Sequence, residues 1–466
     1  MAISQPDQVF IRERQNSIRT KGRQSQPINC QADSVAGCVS QRACVYCGAR
    51  VVLNPITDAV HLVHGPIGCA SYTWDIRGSL SSGADLFRYS FSTDLQEEDI
   101  IFGGERKLNR CIDELVERYH PPVMLVYSTC IVGVIGDDLE AVCRMASLRH
   151  GIEVIPVQSS GFSGNKSDGY RVACEVLLRM IAPEQKMPHQ SNYLNYLGDF
   201  NLAGEAWIIR SYLQEIGIHM NVAFTGDSQY ETLQTAPSAS LNIVQCAGSM
   251  GYMAKRMEEI YGIPFLNISF LGLEDTIESL RRISDFFGDP LFSSRTEALI
   301  EREMAIYDPI IQQYRNRLMG KKAAVFVGGG FKAISLIKQF RELGMEVVMV
   351  GTQTGRQEEY DTIHHLVAEG TVVLDDANPA ELERFMLEQG ADLLVGGVKE
   401  RPLAFKLGLA FIDHNHERKH PLSGFVGAAN FAREVEQTVC SPVWKYLDKE
   451  LGCQGDGSPD TFRNLI

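Results

Sequence analysis

The stretch "PPVMLVYSTC" (121–130) decides how the chain is read. A prolyl pair opens it, a short unbroken apolar run follows, and Ser-Thr-Cys ends it. A run this short and this continuous reads as a strand buried on both faces, the habit of parallel sheets. It places Cys130 just past a strand's carboxyl end. "GIEVIPVQSSGFSG" (151–164) repeats the pattern after an amphipathic segment. A polar joint near 182–192 follows, and the pattern restarts with "YLNYLGDFN", "IHMNVAFTGD", "SLNIVQC" and "IPFLNISF". A helical stretch covers about 274–320. A third start brings "KKAAVFVGGG", "MEVVMVGTQTG", "TVVLDDAN", "ADLLVGGVKE" and "LAFIDHN".

Strands alternating with helices predict an α/β protein of parallel sheets covered on both faces. Three starts predict three doubly wound, Rossmann-like domains: 38–190, 191–320 and 321–466, preceded by an amino-terminal arm, 1–37. No internal sequence repeat accompanies them. The length of 466 residues, with 44% hydrophobic and 22% charged content, suits a globular chain of several domains. A net charge of −14 argues against a general nucleic-acid binder. No 18-residue apolar run is present for a membrane span, and "MAISQPDQVF" lacks a secretory signal, so a cytoplasmic location is expected. The arm segment "IRERQNSIRTKGR" carries five basic residues and one acid. It reads either as a tail or as an arm lying on an acidic partner surface.

In open parallel sheets ligands bind outside the carboxyl ends of the strands. Cys130, Cys246, Gly328–Gly330, Lys399, Glu400 and His414 all fall at such ends, which points to sites between domains. In a reducing compartment, clustered cysteines among the chain's 12 favour metal or redox chemistry over disulfides. Cys111, Cys143 and Cys174 lie in helix-like patterns and read as buried apolar residues. The amino-terminal set is denser: Cys30, Cys38, Cys44, Cys47 and Cys69. Cys44 and Cys47 form a C-x-x-C with no second ligand pair at zinc spacing. Iron–sulfur ligation accepts cysteines from distant loops. If Cys44, Cys69 and Cys130 are three ligands, a discrete cluster still lacks a fourth, which a partner subunit can supply. "DHNHERKH" (413–420) places three of the 11 histidines within seven residues. Its own spacing leaves open a metal site, a pH-sensitive surface or a solvated loop. Gly328–Gly330 is followed by no GxGxxG or Walker pattern and specifies no nucleotide.

Longer motifs carry a family resemblance. "HLVHGPIGCASYTWDIRGSLSSG", "FSTDLQEEDIIFGGERKL", "YSTCIVGVIGDDLEAVC", "LGDFNLAGEAW", "CAGSMGYMAKRMEEIYGIPF" and "PVWKYL" resemble nitrogenase component 1 in order, from about residue 38 to 450. They are most similar to its alpha subunit and to the related E-type subunit of the cofactor-assembly scaffold. The resemblance implies that Cys44, Cys69 and Cys130 hold half of an inter-subunit iron–sulfur cluster, [8Fe–7S] of the P-cluster type or [4Fe–4S]. A homologous beta-type subunit, K- or N-like, would hold the rest in an α2β2 heterotetramer. It implies that Cys246 binds a large iron–sulfur cofactor, like the iron–molybdenum cofactor or its all-iron precursor. Arg77 would stand beside that cofactor, Lys399 near its organic acid, and Glu400 next to Lys399. His414 falls on the ligand to the cofactor's opposite end, where scaffold subunits use an asparagine, and here Asn415 is adjacent.

Departures bear on activity. Lys166, Ser167 and Asp168 occupy the stretch that supplies a glutamine and a histidine at the nitrogenase substrate face. "VGGGFKAIS" lacks that family's arginine loop, and "VAGCVSQRACVYCGA" departs from the scaffold's usual motif. The expectation drawn is an alpha-type subunit of a nitrogenase-like reductase, fed by an ATP-dependent iron protein and acting on a small substrate other than dinitrogen. Methylthio-alkane reductases, which cleave carbon–sulfur bonds, are the model for it. The alternative is a scaffold subunit that holds a cofactor precursor and passes it on. The reductase expectation requires the His414 imidazole to face Cys246 across a cleft, with Lys399 and Arg77 on its walls and His416 pointing away.

Overall fold

The computed structural model describes residues 14, 16–23, 28, 30, 42–74, 80–81, 89–181, 188–414 and 418–445. A short strand, β1 (Ile18–Thr20), comes first, and its pairing partner lies some 350 residues later. Strands β2 (Val60–His64), β3 (Ser90–Ser92), β4 (Val123–Ser128) and β5 (Glu153–Val157) form a parallel sheet in the order β3-β2-β4-β5. The deciding stretch is therefore β4, with all six residues buried. A second parallel sheet, β7-β6-β8-β9, is built from β6 (Gln190–Asp199), β7 (His219–Thr225), β8 (Ala239–Val244) and β9 (Phe265–Asn267). The third contains β10 (Lys322–Val327), β11 (Glu346–Thr352), β12 (Val372–Asp375), β13 (Leu393–Gly396) and β14 (Ala410–Asp413), ordered β1-β12-β11-β10-β13-β14.

Period-two alternation explains the layering. In β10, Ala323, Val325 and Val327 enter one core, while Ala324 and Phe326 enter another on the opposite face. The first of these cores continues into the second sheet through Leu194, Tyr196, Leu241 and Ile243. Leu197 and Val244 of that sheet turn the other way and join Val63, Leu125, Tyr127 and Ile155 of the first. Burying one such Val, Leu or Ile contributes about 1.5–3 kcal/mol. Adjacent sheets thus share apolar cores, which fixes their strand ends relative to one another.

The stretch read as one helix, 274–320, is two: Leu273–Phe287 and Pro290–Leu318. The sequence Gly288-Asp289-Pro290 makes the break. Gly288 closes the first helix at φ +66°, the Asp289 carboxylate accepts from Leu291 N, and Pro290 opens the second. The arm is also different from either expectation where it is described. β1 pairs antiparallel with β12, and Arg14 forms a salt bridge with Glu381 at 2.9 Å and donates to the Asp375 and Asp376 carbonyls. The Arg14 charge is matched within this chain. β2 and β3 were not anticipated as strands. Among the described residues no helix is long and apolar enough to cross a membrane.

Candidate functional site

Two centres lie at strand carboxyl ends. The first gathers Cys44, Cys69 and Cys130, all half-buried. Cys44 caps the helix Val45–Leu53, Cys69 is third in the helix Ile67–Trp74, and Cys130 opens the helix Cys130–Ile135 directly after β4. Three helix amino ends therefore turn partial positive charge toward the thiols. Parallel register sets the separation, and side chains lock it. Thr129 Oγ1 donates to the His64 carbonyl at 3.0 Å, joining the ends of β2 and β4. Ser159 N donates to Ser128 Oγ at 2.8 Å, joining β5. Gly161 sits against the group: a Cβ there would lie 2.8 Å from Cys130 Sγ and 3.3 Å from Cys44 Cβ. Burial pushes the Cys69 thiol up, and charge on Cys130 and Cys44 pushes it further. Among the described residues no group of His, Cys, Asp and Glu side chains could hold a single metal ion.

The other amino-terminal cysteines go elsewhere. Cys47 is 2% exposed and lines the second centre. Cys30 lies by Gln357, its Sγ 4.0 Å from Oε1. Cys38 is outside the described residues. Cys143 and Cys174 are buried as read, while Cys111 is half-buried.

The second centre is a cleft of about 780 Å³ where all three sheets meet. Cys246 caps the helix Ala247–Tyr261 at the end of β8, held by a hydrogen bond from Gln245 N to Leu197 O at 2.8 Å. Gly198 makes room for it: at φ +87°, an added Cβ would lie 2.9 Å from Cys246 Cβ. Lys399 lies opposite in sequence but on the same lining, its ammonium 5.6 Å above the Tyr72 ring. Glu400 lines the cleft too. Its Oε2 accepts from Gly397 N at 2.8 Å, its Oε1 has no partner, and burial raises its pKa. Lys166 joins the wall from the helix Lys166–Met180.

His414 is placed differently from Cys246 and Lys399. It is not among the cleft-lining residues. Its imidazole is fully buried, edge-on to Phe431 at 5.9 Å, and neither ring nitrogen has a partner. Burial keeps it neutral, reinforced by the charges of Arg418 and Lys332. Its carbonyl accepts from Arg418 at 3.1 Å. Arg77, Asn415 and His416 lie outside the described residues.

Sequence reasoning missed a buried charged group on the cleft wall. Arg418 and Glu205 form a salt bridge at 2.9 Å, and Asp199 lies beside them. Burial, then the charge of Glu205, pushes the Asp199 carboxyl up to about 7. Lys332 lines the same wall from the first turn of the helix Gly330–Glu342, which follows β10. The one available signal was Asp199 at the end of "YLNYLGDFN". Glu205 and Arg418 are 213 positions apart, and no spacing rule links them.

Residues 44–440 match the family described as nitrogenase component 1 type oxidoreductase. The nitrogenase iron-molybdenum cofactor biosynthesis protein NifE of Clostridium pasteurianum is 61% identical over 418 residues, 90% of this chain and 91% of that protein. Its namesake in Methanosarcina barkeri is 54% identical over 95% of this chain and 98% of its own length. The namesake in Klebsiella pneumoniae is 38% identical over 86% and 90%. A solved structure described as nitrogenase Cp1 at pH 5 superposes with a TM-score of 0.86 at 32% identity, covering 96% of this chain and 98% of the other. These relatives correct the expected activity. The reading as a nitrogenase-like reductase of a small substrate, with methylthio-alkane reductases as its model, is overturned, because relatives 40–61% identical over 88–95% of this chain are named as cofactor-biosynthesis proteins. By motif order, full-length identity and three-sheet architecture, the chain belongs to the nitrogenase component 1 family.

Proposed function

We propose that this chain is the E-type scaffold subunit for biosynthesis of the nitrogenase iron–molybdenum cofactor. It holds a cofactor precursor as cargo and releases it, without turnover of a small substrate. The observation that carries the reading is 61% identity over 90% of the chain to a protein of that name. Cleft chemistry supports it: Cys246 brings its thiol to the lining, while His414 is not among the lining residues. A cargo tied at one end leaves more readily than one tied at both.

In this reading Cys44, Cys69 and Cys130 hold half of an iron–sulfur cluster, [8Fe–7S] or [4Fe–4S], and a homologous beta-type subunit completes it in an α2β2 assembly. The cluster supplies one-electron transfer, as iron–sulfur centres do. Half-burial of the trio suits a site closed by a second surface, and Ile67, Val134 and Phe162 nearby are 47%, 68% and 74% exposed. Cys246 anchors the precursor. Lys399 and Arg77 are assigned to its anionic flank, Glu400 to holding the loop that carries Lys399. His414 and Asn415 take a supporting part at the far end. An ATP-dependent iron protein is the electron donor, and a cytoplasmic location fits oxygen-sensitive cargo. The three domains, 38–190, 191–320 and 321–466, bring the cargo walls together. The test is anaerobic purification with the partner subunit, followed by iron analysis, EPR and transfer to cofactor-free nitrogenase component 1. Transfer that depends on Cys246 is the expected result. A preparation that holds trio iron but never delivers cargo would sink the scaffold reading.

A further inference from the structure

The helix that Cys44 caps carries an arginine with no counter-ion among the described residues. Arg50, on the helix Val45–Leu53 that Cys44 caps, is 1% exposed. Its Nε approaches Thr73 Oγ1 at 3.5 Å and its Nη2 donates to Ser90 Oγ at 3.1 Å. Its Nη1 has no partner, and among the described residues no carboxylate forms a salt bridge with it. The guanidinium lies 5.0 Å from the Tyr127 ring centre, a partial offset only. His61, beside it, is fully buried with Nε2 unpartnered, and burial together with the charge of Arg50 keeps it neutral. A guanidinium does not shed its proton, and a buried charge without an opposite one is costly.

The geometry points to where the missing anion belongs. Thr73 is one helical turn beyond Cys69, and Tyr46 is two residues beyond Cys44. The Tyr46 and Thr73 hydroxyls meet at 2.8 Å, so Arg50 joins both cysteine-bearing helices through Thr73. We propose that Arg50, tied to both cysteine-bearing helices, is the built-in counter-charge of the trio and stabilises the more negative, reduced state of the cluster, so raising its reduction potential. The proposal rests on the reading of the trio as an iron–sulfur site. The step is the gain of one electron from an external one-electron donor, with no bond made or broken. Net charge and hydrogen bonding around a cluster set its potential.

The test is a reductive titration, followed by EPR, of the anaerobic complex with its partner subunit, comparing wild type, Arg50→Met and Arg50→Lys, with iron counted in each. Arg50→Met should keep its iron and shift the reduced-to-oxidised ratio about tenfold toward oxidised at a fixed potential, about 59 mV for one electron. Arg50→Lys should restore most of the wild-type value. Full iron with an unmoved potential in Arg50→Met overturns the proposal. If Arg50→Met does not accumulate, stripping iron from wild type and from Arg50→Lys decides it: both should lose more thermal stability than Arg50→Gln does, and equal losses overturn it. Should Cys44→Ala, Cys69→Ala and Cys130→Ala all leave the iron signal intact, the trio reading fails instead, and the two failures are told apart.

Discussion

The trio and the cleft are both built at strand carboxyl ends, yet they differ in what holds them. Cys69 and Cys130 follow neighbouring strands of one sheet, and Cys44 caps the helix packed beside them. Their separation follows from parallel register and from short hydrogen bonds such as Thr129 to His64. The cleft takes its walls from three sheets. Lys166 comes from beside the first, Cys246 from the second, and Lys332 and Lys399 from the third. Their separation depends on how shared apolar cores set one sheet against the next. A site made within one sheet takes its geometry from strand register, and a site made between sheets takes it from the shared cores that fix one sheet against the next.

The largest expected effect separates the two centres. Cys69→Ala should strip iron from the trio and weaken assembly with the partner, while Cys246→Ala should empty the cleft and leave trio iron intact. Iron analysis with EPR and native mass measurement reads both. If Cys246→Ala also cost trio iron, the centres would not be independent.

Glycines probe how each site is held. Gly161→Ala drives a methyl against Cys130 Sγ and Cys44 Cβ, atoms fixed by one sheet, so trio iron should fall sharply. Gly198→Ala presses on Cys246, and its left-handed backbone adds about 1–2 kcal/mol of strain. Cargo binding should weaken more, because the added methyl also meets the Cys246 backbone N at 2.8 Å. Equal losses in the two iron counts would remove the contrast.

His414→Ala is expected to be smaller still at the cleft. Losing a fully buried ring costs about 2–4 kcal/mol of stability through packing against Phe431, with cargo still bound through Cys246. Thermal unfolding and iron content check it, and loss of cargo without loss of stability would make His414 an anchor.

Asp199 gives the smallest effect and the one tied to pH. Its carboxyl is pushed up to about 7, so the folded state keeps a proton that the unfolded chain releases near pH 4. This contribution favours folding below about pH 4, declines as pH rises to about 7, and is flat above. Asp199→Asn should therefore flatten that part of the Tm-against-pH curve, and its advantage over wild type should grow between pH 5 and 7. An advantage independent of pH would assign the raised pKa to another group.

Much of this was legible. "PPVMLVYSTC" is β4, and the strand-end rule led from it to Cys130 and from "SLNIVQC" to Cys246. The same rule named Lys399, which lines the cleft, and His414, which does not, although both follow third-sheet strands. The period-two pattern says which strand residues alternate, but the residue after a strand has left that pattern. The His414 imidazole went to Phe431 of the helix Gly424–Val439, and only packing could decide that. β1 was illegible for another reason, since three residues of an arm pair with a strand some 350 positions later. Even the Gly288-Asp289-Pro290 break was spelled out in residues, though the helix reading ran through it.

The sequence by itself determined the α/β alternation, the three sheets and the cysteines at strand ends, because each is a local matter of period, run length and turn residue. Only the tertiary structure decided that Cys44 and Cys130 close on Gly161, that Glu205 pairs with Arg418, and that Arg50 is buried with no carboxylate partner among the described residues. Those relations join residues far apart in the chain, and what sets them is the close packing of shared cores, which no spacing along the sequence encodes.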